Sequence, residues 1–338
     1  MLTRKMTVLL LSLALAFTFT GCQSQKPATQ GDQAKPAFPD TSKTIEIVVH
    51  SSAGTGTDVF ARNIMKSLKD DSITKNNVIV NNVQGGGGAS ARKYVVDKNT
   101  GNAYMLQIIQ PTAISRPLQN ADDVPYTNFT TIANLANETL VVVVKADSKY
   151  KVMQDLVNES KNRRVKQGGG TVGSAESMAA YLIQEKTGGK FDYVSFQTGG
   201  ESVTAILGGH VDFILANPSE VISNVQGGKL RLLATVSGKR LPMLPDVPTL
   251  KEMGVEVEWN SFRGVVGPPN MPPEAVAYYR ECLKKVMQSN AFKEYLKNDM
   301  VAEMYLEGKE FEDFLSKENE TTRHILSGMN LLKGEKKS

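Results

Sequence analysis

Apolar runs and small polar clusters follow one another along the chain in a repeating order. Ile45, Ile47, Val48 and Val49 form a β-branched run, residues 51–57 are small and polar, and Phe60, Ile64 and Leu68 then recur at helical spacing. This pattern predicts a strand, a tight loop and a helix start across 45–62. Small residues let backbone N–H groups converge on whatever occupies the loop. A helix N-terminus carries about +0.5 charge, so the mouth of such a turn favours carboxylate, phosphate or sulfate oxygens.

The same order recurs downstream. Residues 78–83 precede Gly85-Gly-Gly-Gly-Ala-Ser90 and a helix near 91–96, and 104–109 lead into a loop and helix over 110–116. Thr171-Val172 reads as a strand before a helix over 177–186, and 193–196 as a strand before a helix ending at Leu207. Repeated β-α units predict an α/β fold with mainly parallel sheets, whose ligands lie at the carboxyl ends of the strands. Val141–Val144 reads as a buried strand leaving one sheet, and 255–262 as the return path. The expected division is therefore lobe 1 over 44–143 plus 262–338 and lobe 2 over 144–261. Two crossing strands are what hinge closure requires.

The two ends bear on location. Arg4 and Lys5, an apolar core over 8–19 and then Thr20-Gly21-Cys22 form a leader too short to span a membrane. Residues 1–22 are expected to be a lipoprotein signal peptide, with Cys22 acylated as the mature N-terminus. Residues 23–43 are mostly small or polar, with Phe38 the one bulky apolar residue, so a flexible tether is expected there. Lipid, tether and folded body describe a protein anchored on the outer face of the cell membrane. Cys282 is the other cysteine, in an apolar helical stripe, so no internal disulfide is expected.

Composition removes several classes of function. A formal charge of +4 in 338 residues is modest, and no basic stripe is interleaved with aromatics, so nucleic acid is not an expected partner. Gly54-Thr-Gly56 is followed by Val59 where a dinucleotide fingerprint needs its third glycine, and Gly-Lys-Ser/Thr occurs nowhere. Gly-x-Ser-x-Gly is absent, the histidines (50, 210, 324) are scattered, and His/Cys spacing offers no metal site. No acid, base and nucleophile set assembles, so neither catalysis, nor a cofactor, nor a metal is expected.

Several motifs taken together resemble a known family. They are Ser52-Ala-Gly54-Thr-Gly56-Thr-Asp58-Val-Phe-Ala-Arg62, Gly208-Gly209-His-Val-Asp212, Gly228-Lys-Leu-Arg231, Arg240-Leu-Pro-Met-Leu-Pro-Asp246-Val-Pro-Thr249, Trp259, and Arg263-Gly-Val-Val-Gly-Pro268. In this order they are similar to the solute-binding proteins of tripartite tricarboxylate transporters, the Bug family, over 45 to about 325. The resemblance implies a two-lobed, type II Venus-flytrap receptor, monomeric and without catalysis. It would capture a small organic carboxylate and deliver it to integral membrane permease subunits. Carried onto this chain, the family's first loop supplies Ser51, Ser52, Thr55, Gly56, Thr57 and Asp58, and the second-lobe loops supply Ser174, Gln197, Thr198 and Asn217. Ser177 replaces a frequent histidine, and Phe196-Gln197-Thr198 replaces Tyr-Lys-Gly, which argues against a highly charged ligand such as citrate. Asp58 also has a structural reading, as a helix-capping acid paired with Arg62 one turn on. Arg116 and Arg263 are candidates for a bidentate carboxylate grip or for plain salt bridges. The alternatives are a receptor feeding a membrane sensor kinase and a secreted hydrolase.

Overall fold

The computed structural model describes residues 38–196, 198–259 and 261–333. The expected leader, Cys22, most of the tether and Gln197 lie outside the described residues. In chain order the first part comprises β1 (Thr44–Val49), α1 (Gly56–Asp70), β2 (Asn77–Asn82), α2 (Ala89–Asn99), β3 (Met105–Ile109), α3 (Thr112–Gln119) and β4 (Thr130–Glu138). The middle comprises β5 (Val141–Lys145), α4 (Met153–Asn162), β6 (Val165–Gly169), α5 (Ala175–Thr187), β7 (Phe191–Ser195), α6 (Gly199–Leu207), β8 (Phe213–Ala216), α7 (Pro218–Gln226) and β9 (Leu230–Thr235). The chain then returns through β10 (Ser261–Gly267), α8 (Pro273–Gln288), α9 (Asn290–Asn298), β11 (Ala302–Glu307) and α10 (Gly308–Gly328).

The strands form two sheets, β11-β4-β10-β3-β1-β2 and β7-β6-β8-β5-β9, so the fold is α/β and two-lobed. In the first sheet β1 is parallel to β2 and β3, whereas β10 runs antiparallel to β3 and β4. In the second, β6 is parallel to β7 and β8, whereas β5 runs antiparallel to β8 and β9. The antiparallel strands flank the crossings: a chain arriving from the other lobe enters the sheet from the end where the β-α units finish.

Alternation along β1 explains its unbroken apolar run. Ile45, Ile47 and Val49 pack with α1, α8 and α9, while Val48 faces Val95, Ile114 and Phe311 on the other side. A strand covered by helices on both faces has no polar face to show. The valines of β5 behave alike, Val142 and Val144 facing α4 and α5, and Val141 and Val143 facing α6 and α7.

Three placements differ from the expectations. The strand expected at Thr171-Val172 is β6, at Val165–Gly169, and 171–172 is loop. Gly168 and Gly169 hide that strand from propensity, yet a Cβ on Gly168 would lie 3.1 Å from Phe196 and Ile214. Val141–Val144 lies wholly in the second sheet, so the chain changes sheets at Thr139-Leu140, before the expected boundary. A valine run signals burial but not the sheet in which it is buried. The tether expected over 23–43 is shortened at its end, because Phe38 packs against Tyr104, Tyr278 and Tyr279 with centroids 5.2–5.9 Å apart.

α10 touches both lobes. Phe311 and Leu315 join the core of the first, whereas Ile325 and Leu326 join that of the second. His324 lies 3.0 Å from Glu185 of α5, and the Lys333 amide donates to the Leu118 carbonyl of α3.

Candidate functional site

The carboxyl ends of β3, β4, β6 and β8 face a common cavity of about 240 Å³ between the lobes. Larger recesses of about 440 Å³ beside Arg280 and about 420 Å³ beside Leu232 each lie within a single lobe, and another of about 420 Å³, beside Met300, is lined from both lobes but away from the carboxyl strand ends. The first lobe contributes Gln110 and Thr112 to the cavity, the crossing strands contribute Glu138 and Arg263, and the second lobe contributes Ser174, Glu176 and Asn217.

Arg263 organises the first-lobe wall. Its Nε and Nη2 donate to the two Glu138 oxygens, and its Nη1 donates to Gln110 Oε1. Thr57 Oγ1 donates to the same Gln110 oxygen at 3.0 Å, so the Gln110 amide nitrogen is turned to His50 Nε2, 3.0 Å away. His50 must accept that bond and is therefore neutral there, with its other ring nitrogen protonated. Burial first, then the charges of Arg263 and Arg92, push His50 down to about 4. A Cβ on Gly56 would lie 3.7 Å from Arg263 Nη2, so the start of α1 borders this group.

The first-loop residues separate into two sets. Gly56 and Thr57 border the cavity wall. Ser51 bonds Thr55, Ser52 donates to Gln84, and the Thr55 hydroxyl donates to the Ser52 carbonyl, so these three tie the loop to itself and to its neighbour. Asp58 is 1% exposed and accepts from the Gly54 amide, the Arg62 guanidinium and the Asn82 amide. Burial alone would raise its carboxyl, but those three donors hold it below the ordinary range. Its contacts tie the loop to α1 and β2. The Arg62 partner stands one helical turn on.

On the second lobe, Ser174 and Asn217 line the cavity. Ser174 precedes α5, accepts weakly from the Ser177 amide and donates to Glu176. Asn217 precedes α7, and its amide donates to Glu220 at 3.3 Å. Thr198 caps α6 by accepting from the Glu201 amide at 3.3 Å. Arg116 lies beside the 85–88 glycine loop, where a Cβ on Gly87 would come within 2.9 Å of its Nε.

Sequence reasoning missed Gln110, Glu138, Glu176 and Glu220. The rule that ligands lie at carboxyl strand ends could have found the first two, since Gln110 follows β3 directly and Glu138 closes β4.

Residues 60–331 match the tripartite tricarboxylate transporter family receptor, TctC. A UPF0065 protein in the gbd 5' region of Cupriavidus necator is 28% identical over 329 residues, covering 96% of this chain and 97% of that protein. A TctC solute binding protein from Polaromonas, solved without ligand, superposes with a TM-score of 0.76 at 26% identity, over 86% of this chain and 100% of that one. An R. palustris protein solved with adipate shares the fold at a TM-score of 0.72 and 22% identity, over 84% of this chain and 96% of that one. With most of its length matched and both lobes in place, the chain belongs to the tripartite tricarboxylate transporter receptor family.

Proposed function

We propose that this receptor captures a small organic carboxylate between its lobes and delivers it to the membrane subunits of a tripartite tricarboxylate-type transporter. The cavity between the two sheets carries this reading, because it draws polar groups from both lobes and from the crossing strands. A ligand touching both walls is held fully only when the lobes are together, so it shifts the population toward the closed form by its differential affinity. That form is the one that docks on the membrane partner. The lobes of this reading are those expected above, with the first crossing at 139–140. Ser51, Ser52, Thr55, Gly56, Thr57 and Asp58 form or brace the first-lobe lip, Ser174, Thr198 and Asn217 form the second, and ligand contact is assigned to Gln197 with them. The adipate in the R. palustris protein supports carboxylates as the ligand class. Acylation of Cys22 would hold the receptor to the outer face of the cell membrane.

The test is a thermal-shift screen against mono-, di- and tricarboxylates, aromatic acids, amino acids and, as the contrasting class, uncharged sugars and amides. A ligand at about 100 times its dissociation constant adds about 2.7 kcal/mol of apparent stability. A hit that is lost in Asn217→Ala supports the reading. Hits confined to uncharged solutes would refute it.

A further inference from the structure

A second cavity, of about 160 Å³, lies in the second lobe between α5, the paired strands β6 and β7, and Met329 at the end of α10. It shares no lining residue with the inter-lobe cavity. The register that sets Gln167 beside Tyr193 places both on the sheet face that α5 covers, together with Val165 and Phe191. A Cβ on Gly328 would collide with the Tyr181 hydroxyl, so glycine there lets the end of α10 close against α5 and bring Met329 to the cavity.

The walls are apolar and uncharged. Val172, Ala180, Tyr181, Phe191 and Met329 surround the space, and none of the residues lining it carries a charge. Val172 is 51% exposed and stands at the mouth, whereas Gln167 is fully buried and stands at the floor. An apolar cavity of about 150 Å³ holds one benzene ring. This one therefore has room for a single ring.

One polar atom at the floor lacks a donor. Gln167 Nε2 donates to the Gly168 carbonyl at 2.6 Å, which fixes the amide, since turning it over would set oxygen against oxygen. Its Oε1 is buried and receives no hydrogen bond from any described residue. The hydroxyls nearby are committed elsewhere, Ser177 donating to the Ser174 carbonyl and Tyr193 to the Gly170 carbonyl. A buried acceptor in this position is satisfied only by a donor brought from outside.

We infer that this cavity is a second ligand site, separate from the one between the lobes, for a small neutral molecule with one ring and one hydrogen-bond donor, a phenol being the simplest case. The ring lies among Val172, Ala180, Tyr181, Phe191 and Met329, and the hydroxyl donates to Gln167 Oε1. A carboxylate is disfavoured, because it would present only acceptors to that oxygen within apolar walls. The two sites meet at one turn. Ser177 also accepts from the Gly173 amide, and Gly173 and Ser174 line the inter-lobe cavity.

The experiment is calorimetric titration of the purified full chain with phenol and with fluorobenzene, which matches the ring but has no donor. Phenol should bind about tenfold more tightly or better, the difference that one buried hydrogen bond makes. Gln167→Met should erase that preference by removing the acceptor at similar volume. Ala180→Leu should abolish binding of both rings by filling the space, with melting temperatures showing that each variant folds. The two variants act by different routes, so if one fails to fold the other decides. Absence of phenol binding at millimolar concentration, equal binding of the two rings, a preference that survives Gln167→Met, or binding that survives Ala180→Leu overturns the inference. The carboxylate reading rests on the other cavity and stands or falls by its own screen.

Discussion

The Arg263 guanidinium grips the Glu138 carboxylate with two donors, Nε at 3.2 Å and Nη2 at 2.5 Å, where β4 and β10 run side by side. Both side chains are largely buried, at 7% and 11% exposed. Removing one partner of such a pair strands the other charge. Glu138→Ala should therefore cost about 3–5 kcal/mol in urea unfolding, whereas Glu138→Met with Arg263→Met together should recover most of it. A double variant no more stable than the single one would show that the ion pair itself supports the fold.

His50 sets a pH dependence whose sign follows from its neutral state. Its folded value, about 4, lies below the ordinary 6.5, so the unfolded chain binds more protons between those values. This contribution to stability is complete above about pH 6.5 and is lost as pH falls toward 4, by up to about 3 kcal/mol. Melting temperatures from pH 4 to 7 should fall less steeply with acid in His50→Gln. Parallel curves for the two proteins would contradict the assignment.

Substitutions at Gly56 should be graded by size. A methyl group there meets Arg263 Nη2 at an ordinary 3.7 Å, so Gly56→Ala should bind the screened ligand within about threefold of wild type. The branched side chain of Gly56→Val reaches further into the guanidinium and should weaken binding at least tenfold. Isothermal titration of both variants distinguishes a crowded wall from a merely flexible loop.

Asp58→Ala should act through the loop. It removes the acceptor for Gly54, Arg62 and Asn82, and a lost charged hydrogen-bond set of this kind costs about 1.5–3 kcal/mol. Proteolysis should shift to 51–57, with affinity falling in step. An affinity loss without any change in stability or protease sensitivity would instead place Asp58 in direct contact with ligand.

The sequence disclosed the elements better than the cavity. The β1 to α1 run and the helices ending near Leu207 and Lys186 were legible because burial on one face repeats at a fixed period. β6 was not, since its glycines carry no propensity signal and their necessity lies in the neighbours Phe196, Ile214 and Glu176. Ser174 and Asn217 were reached through family resemblance. Gln110, Glu138 and Glu176 were missed because their roles depend on three segments far apart in sequence meeting between two sheets. Asp58 stood out as an acid near a glycine loop, and its burial among three donors could be seen only once Asn82 was placed beside it.

The last helix turns the pair of lobes into a three-point linkage. The twenty-one residues of α10 reach about 30 Å, and about 22 Å of that rise separates Phe311 in one core from Leu326 in the other, on a path separate from the two crossing strands. A hinge with two strands alone leaves several axes open. A rod seated in both halves restricts that choice, because any rotation must either carry the rod along with one half or slide Ile325 and Leu326 across the packing of the other. The far end of a helix remote from the cavity would then influence how easily the trap shuts, and substitutions at Leu326 would tune capture without touching the captured molecule.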